Sequence, residues 1–351
     1  QNNKAQFAKP GSAQKAAALL GISPEELLRL VFSSSGSSTL TRGASVRSSP
    51  ASKQEDGHQN AMESLEGFAI GLYSDVFNAI VSLINRSLSS NYRTSASISI
   101  LDTPGFQNPA SCGRQTGATF EDLCHNYTQE RMQLLFHELT FTVQQDRYSQ
   151  EGINCDFELV SGTPLPMVSL IDKPAQQNLI KTTSQEMKDS ERKGLLWILD
   201  EESMFPGATE DSFMDRFFTH HGEQKVRRDS LLRKASSLGN TFILNHFQGT
   251  NPVQYNASGW LRCCRDNPNM KTATQILQDS KRQNINELFN SVKAPVAGMV
   301  SGSIVGMEGS ATLRRVGSMR RTFMSGTAGL KKRSMCLQIK FQVDSIIDTI
   351  R

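Results

Sequence analysis

The sequence predicts an α/β fold, predominantly helical, organised in about two domains, and three observations predict it. Apolar residues recur at three- and four-residue spacing through two long stretches, 61–88 and 120–148, the period of a helix that buries one face. Short alternating or apolar runs near 96–101, 241–247 and 253–256 have the length and turn-flanked setting of strands. The composition, 37% hydrophobic and 21% charged over 351 residues with a net charge of +4, is that of an ordinary globular chain rather than a polycation. At roughly 150 residues per domain the length suits about two domains or one large one.

The elements follow in order. Residues 12–32 place Ala16, Ala17, Leu19 and Leu20, then Leu27, Leu28 and Val31 at helical spacing. Gly21 separates the two halves, and Ser23 before Pro24 marks a second helix start. Nine serines with two basic and no acidic residues fill 33–52, and Lys53 to His58 is also polar, so 33–60 is expected to be a surface loop. Leu65, Phe68, Leu72, Val76, Ile80, Leu83 and Leu88 then predict a long buried amphipathic helix. Ile98 and Ile100 lead into Asp102-Thr103-Pro104-Gly105-Phe106, a strand ending in a turn with a carboxylate at its edge. Phe120 to Tyr148 reads as a helix closed by Glu151 and Gly152. A short apolar run, 195–199, precedes Met204-Phe205-Pro206-Gly207 and a helix-like stretch through Phe213 and Phe217. Residues 241–247 and 253–256 suggest two strands around the turn 248–251, and 273–289 another helix. The acid-free stretch 309–343 carries eight basic residues, and Met335 to Ile350 closes the chain as an amphipathic helix.

Several chemistries are disfavoured. Six cysteines in so long a chain, none in a CxxC pair, do not make a disulfide scaffold, and reduced structural thiols are expected. His220 and His221 are adjacent and point in different directions, so no metal site is assigned. No run approaches 18 consecutive apolar residues and the polar start resembles no secretory signal, so an intracellular, cytoplasmic setting is expected, with no membrane partner. The sequons at Asn85, Asn126 and Asn256 are read as chance matches, and Ser230 and Ser318 lie in short basic strings of the kind basophilic kinases take. Only Phe323 and Phe341 interleave the late basic residues, so no nucleic-acid partner is expected.

Asp102-Thr103-Pro104-Gly105 fits the DxxG element with which phosphate-hydrolysing switch proteins approach a γ-phosphate, although a plain Pro-Gly turn fits it too. A small GTPase would need GxxxxGK[ST] upstream, and no such string occurs. The wider context is more specific. Ile98-Ser-Ile-Leu-Asp-Thr-Pro-Gly-Phe-Gln107, followed by Phe120-Glu-Asp-Leu-Cys-His-Asn-Tyr-Thr-Gln-Glu-Arg131, resembles the switch II strand (LDxxGFE) and relay helix (FEQLCxNxxNEKLQ) of a myosin motor. Leu196-Trp-Ile-Leu-Asp-Glu-Glu-Ser-Met-Phe-Pro206 is similar to ILEEECxFPKAT, and residues 242–261 to HYAGxVxYxxxGWLxKN. The forms Asp-Thr-Pro-Gly-Phe-Gln and Ser-Met-Arg-Arg-Thr-Phe look like class XVIII unconventional myosins, with the B type as the expected subdivision.

The resemblance implies a part of a myosin head, of the P-loop NTPase superfamily, with strands of its central sheet. It assigns 1–95 to upper 50 kDa-like helices with the serine-rich loop 33–60, 96–119 to the switch II strand and loop, and 120–155 to the relay helix and loop. It further assigns 156–295 to a lower 50 kDa-like region with late sheet strands, 296–334 to a basic loop 2, and 335–351 to the start of the next helix. The family's phosphate loop and switch I would precede Gln1, and its converter and lever arm would follow Arg351, so the chain reads as an internal fragment. ATP or ADP with magnesium is expected only in the intact head, around Asp102, Thr103, Pro104, Gly105, Phe106 and Gln107.

One departure bears on chemistry: Gln107 stands where the family has Glu, whose carboxylate pairs with a switch I arginine, and an amide cannot make that charged pair. Thr103-Pro104 replaces Ile-Ala, and Pro104 removes a backbone donor. Weak or absent hydrolysis is therefore expected, with no catalytic residue assigned. Filamentous actin is the expected partner, met by Arg314, Arg315, Arg320, Arg321, Lys331, Lys332 and Arg333, and dimerisation would need a tail outside this chain. The implied role is a cytoskeletal tether or scaffold on actin filaments, including those of the sarcomere. An active ATP-driven motor and a non-motor interaction domain are the alternatives.

Overall fold

A computed structural model describes residues 5–32, 50–88, 98, 100–154, 162–174, 192–205, 207–222, 230–235, 239–249, 251–265, 267, 269–291 and 334–351, with side chains from 61 onward in the second segment. In chain order the helices are α1 (Pro10–Leu20), α2 (Pro24–Phe32), α3 (Pro50–Leu88), α4 (Phe120–His137), α5 (Val143–Gln150), α6 (Leu165–Asp172), α7 (Leu195–Met204) and α8 (Glu210–His221). They continue as α9 (Trp260–Cys264), α10 (Asn269–Gln278), α11 (Gln283–Ser291) and α12 (Met335–Ile350). The strands are β1 (Leu232–Lys234), β2 (Thr241–Leu244) and β3 (Val253–Asn256). Among the described residues the chain is mostly helical with a small antiparallel sheet, and it divides into two compact units, Gln1–Ser99 with Asn267–Ser325 and Ile100–Asp266 with Gly326–Arg351.

In the first unit, α1 and α2 form the expected pair. Gly21, at φ +75°, ends α1 in the left-handed region where a residue without Cβ is unstrained, and Pro24 opens α2. Ala17, Leu20, Leu27 and Val31 pack with Phe68 of α3 and with Ala273, Ile276 and Leu277 of α10. The α3–α10 crossing is close because Gly71 lacks a side chain: a Cβ there would lie 2.5 Å from the Met270 carbonyl oxygen. Polar bonds fix the same crossing, Thr274 Oγ1 donating to Asp75 at 2.7 Å and Asn267 Nδ2 to the Glu63 carbonyl at 2.8 Å.

Three expectations need correction here. The helix α3 begins at Pro50, so the backbone of 50–60 is helical rather than loop, while 33–49 lie outside the described residues. Proline suits a first helical turn, whose N–H has no intrahelical partner. The helix is also less buried than its periodicity suggests: Phe68 and Ala79 are buried, but Ile80, Ile84 and Leu88 are exposed. Length and composition over Ala61–Leu88 would allow a membrane crossing, yet this helix packs Phe68 and Asp75 against α10. The expected single helix 273–289 is two, α10 and α11, grouped with 1–99 rather than with 156–266. Ser280 breaks it by donating to the Leu20 carbonyl at 2.7 Å while accepting from the Arg282 N–H at 3.1 Å, a side-chain competition with helical bonding.

In the second unit β2 pairs with β1 and β3, in register Leu232↔Leu244 and Leu244↔Val253. The alternate residues Phe242 and Leu244 of β2 and Val253 and Tyr255 of β3 point into one core with Phe120, Phe213, Phe217 and Trp260. Edge-to-face contacts such as Phe242–Trp260 at 5.6 Å and Phe120–Trp260 at 5.7 Å order these rings. At the described residues of the expected strand 96–101 no strand is present: Ile98 and Ile100 are 94% and 90% exposed and no described segment pairs with them, while 96, 97 and 99 lie outside the described residues. A strand needs a ladder partner, and alternation alone does not supply one. The apolar run 195–199 is the first part of helix α7.

His221, in the last turn of α8, lies within 2.7 Å of the Lys193 carbonyl. Burial first, then the positive groups near it, pushes its pKa below the usual 6.5 despite that hydrogen bond. The unfolded chain then binds more protons than the folded one as pH falls through 6.5, so stability is present above that value and declines below it. Urea unfolding at about pH 7 and about pH 5.5 should show that decline, and His221→Gln should flatten it; parallel curves for both proteins would refute the assignment.

Candidate functional site: the 102–107 loop and the helix that holds it

The helix behind the loop starts firmly. Thr119 caps α4 by accepting from the Asp122 N–H at 3.4 Å while Asp122 accepts from the Thr119 N–H at 2.7 Å, and Arg114 holds the same carboxylate at 2.5 Å. Ala118, just before the cap, bridges to β3 through its N–H to the Gln254 carbonyl at 2.7 Å, which ties helix and sheet together. Five residues, Glu138–Thr142, form a π turn between α4 and α5, a widening often associated with functional bends.

The 102–107 loop lies along this helix. Asn126 clasps Gln107, accepting from its N–H at 2.6 Å and donating to its carbonyl at 2.9 Å. The same Asn126 amide donates to the Tyr255 hydroxyl at 2.7 Å, and Tyr255 meets His246 Nε2 at 2.8 Å. His246 Nδ1 lies 3.2 Å from Glu130 Oε1, which also accepts from the Phe247 N–H at 2.8 Å and the Gln248 N–H at 3.3 Å. Asn126, Glu130 and Tyr255 are fully buried, and burial pushes the Tyr255 phenol above its ordinary range, so it stays protonated. Phe106 packs edge-on against His246 with ring centres 5.1 Å apart, and it fits because Gly249 has no side chain: a Cβ there would lie 3.0 Å from the Phe106 ring. A cleft of about 430 Å³ opens beside His246 and Phe247, lined also by Met167 and Asn251.

Gln107 turns its own carboxamide back, Nε2 donating to the Gly105 carbonyl at 2.8 Å. Gln129, one turn of α4 beyond Asn126, donates to Thr103 Oγ1 and to the Pro104 carbonyl, both at 2.8 Å. Asp102 is exposed. The expected loop residues 102–107 thus come together on α4, whereas Arg314, Arg315, Arg320, Arg321, Lys331, Lys332 and Arg333 lie outside the described residues, as does Ser318. The end of that basic stretch is described: Ser334, ahead of α12, donates its N–H and hydroxyl to Asp200 of α7. Four residues further along, α7 ends in the exposed apolar pair Met204 and Phe205. Among the described residues Cys112, Cys124, Cys263, Cys264 and Cys336 form no disulfide, and no three His, Cys, Asp or Glu residues are grouped to hold a metal.

The residues that reasoning from motifs missed are Asn126, Glu130, His246, Tyr255 and Gln129. Asn126 and Glu130 were legible in principle, since they sit three and seven residues from Leu123 on the buried side of the helix, where a polar residue calls for a partner.

Through Asn126 the DxxG loop, helix α4 and strand β3 form one hydrogen-bonded unit. The chain belongs to the myosin head (motor domain) family, which matches residues 1–351. It is 44% identical over 354 residues to unconventional myosin-XVIIIa of Mus musculus, covering 99% of this chain and 17% of that protein. It is 36% identical over 296 residues to unconventional myosin-XVIIIb of Homo sapiens, covering 83% of this chain and 11% of that protein. Class XVIII is thereby supported, while the B type, toward which the motif forms lean, is the more distant of these two relatives. The chain spans less than a fifth of the length of either.

Proposed function

We propose that this chain serves an actin-binding motor head with weak or absent ATPase, a tether or scaffold on actin filaments in the cytoplasm rather than a force-producing motor. Gln107 carries this reading. It has no carboxylate to offer a switch arginine, and its amide is already committed to the Gly105 carbonyl at 2.8 Å, so the charge-assisted closure of the site is replaced by a neutral bond within the loop. ATP or ADP with magnesium would be held by the intact head, and the 102–107 loop is positioned by Asn126. Actin would meet two features at neighbouring points of α7, the exposed Met204–Phe205 pair and the basic stretch whose end Asp200 anchors.

The test is single-turnover ATPase and actin co-sedimentation of the full-length protein. Turnover should be near background and actin binding unchanged by ATP; fast turnover with ATP-dependent release would instead establish the active motor. Replacing Arg314, Arg315, Arg320 and Arg321 by glutamine should weaken actin binding and flatten its salt dependence, because positive charges attract an acidic filament by steering that salt screens over about 8 Å. Unchanged affinity and slope would remove the basic stretch from the actin surface.

A further inference from the structure

Four positions at which this chain departs from the switch and relay patterns meet at one place. Thr103 and Pro104 stand for Ile-Ala, Gln107 for Glu, and Gln129 for the Asn of the relay pattern. Gln129 Nε2 donates to Thr103 Oγ1 and to the Pro104 carbonyl, both at 2.8 Å, and Thr103 Oγ1 in turn lies 3.7 Å from Met132 Sδ. Gln107 Nε2 closes the loop on the Gly105 carbonyl at 2.8 Å. The bonds to Thr103 Oγ1 and from Gln107 Nε2 are not open to the family's residues, since isoleucine has no side-chain acceptor and a carboxylate has no proton to give a carbonyl, and asparagine is one methylene shorter in its reach to the carbonyl at 104.

We infer that Gln129, Thr103 and Gln107 are positioning residues forming a latch that keeps the 102–107 loop seated on α4 whether or not nucleotide is bound. The inference deepens the reading of this loop as the nucleotide switch. The bonds run from a helix side chain to the loop and within the loop, so the seat is set by the protein's own amides and needs no phosphate to complete it. Gln129 is only partly buried, so its replacement removes the latch without opening a core.

Hydrogen exchange of the full-length protein, followed by mass spectrometry on peptides spanning 102–107 and 120–137, tests it. Gln129→Glu keeps the shape and loses both donated bonds, and Gln129→Asn shortens the reach. Each should raise exchange of the Gln107 amide, whose N–H Asn126 holds, about tenfold, as expected for losing two neutral hydrogen bonds, while the helix peptide and Tm stay unchanged. In the wild type, adding MgADP should leave loop exchange unaltered, whereas in Gln129→Glu it should slow it. Loop exchange equal in wild type and both variants overturns the latch, as does strong protection of the wild-type loop by MgADP. Faster exchange in the variants with no response to MgADP in any protein keeps the latch and rejects the nucleotide-switch reading of the loop.

Discussion

Arg131→Ala is expected to lower the unfolding free energy by about 3 kcal/mol, the low end of what removing one partner from a buried ion pair does. Arg131 Nη1 lies 2.7 Å from Asp172 Oδ2 of α6 and 2.7 Å from Asp344 Oδ1 of α12, and its side chain is only 16% exposed. One guanidinium therefore joins α4 to two other elements. Without it two carboxylates of about 13% and 20% exposure lose their main countercharge. The loss stays at the low end because each keeps one partner. Asp172 accepts from the Tyr127 hydroxyl at 2.6 Å, and Asp344 from Lys340 at 2.7 Å. Burial, and then the neighbouring Asp172 charge, push the Tyr127 phenol above its ordinary range, so it remains a donor. Arg131→Lys keeps a charge but not the forked donor and should lose less than half as much. Guanidinium unfolding followed by Trp197 fluorescence suits the measurement, since Trp197 Nε1 donates to the Asp172 carbonyl at 2.8 Å. A midpoint unchanged in Arg131→Ala would show that the network adds nothing to stability.

The parts of this fold that local chemistry specifies were legible in the sequence, and those that depend on distant partners were not. Gly21 and Pro24 mark the α1–α2 joint without reference to anything else, and α12 runs from Met335 to Ile350 as its apolar period indicates. The β2–β3 pair was legible because its two runs flank a turn. Strand β1 was not: Leu232-Arg233-Lys234 has no strand pattern, and only pairing with β2 makes it one. Helix α6 went unread for a related reason, since Leu165–Asp172 is apolar on nearly every side and has no amphipathic period. At the site, motif matching found the 102–107 loop, but a motif names the residues of one segment. The contacts that seat the loop join residues 107, 126 and 255, a separation that no spacing rule within a segment reaches.

Glu130→Ala should be the most damaging single change at the site itself, lowering stability by roughly 3–5 kcal/mol, whereas Glu130→Gln should be close to neutral. The asymmetry follows from which oxygen is used. Oε1 alone accepts from the Phe247 N–H, the Gln248 N–H and His246, while Oε2 is buried with no partner among the described residues. Alanine leaves two backbone donors and the His246 imidazole facing the space of a fully buried carboxylate, and the loop 246–248 loses what fixes it to α4. Glutamine supplies the same acceptor at Oε1 and places its amide where the carboxylate had an unmatched oxygen. The loss would also travel along the bonds, because His246 orients Tyr255, Tyr255 orients Asn126, and Asn126 holds both backbone groups of Gln107. In Glu130→Ala the Gln107 amide should therefore exchange faster than in the wild type even under conditions where the protein is still folded, and in Glu130→Gln it should not. Equal loss of stability in the two variants would mean that the site requires a carboxylate at 130 and not merely an acceptor at Oε1. Retention of wild-type exchange at Gln107 in Glu130→Ala would mean that Asn126 holds the loop without help from the sheet.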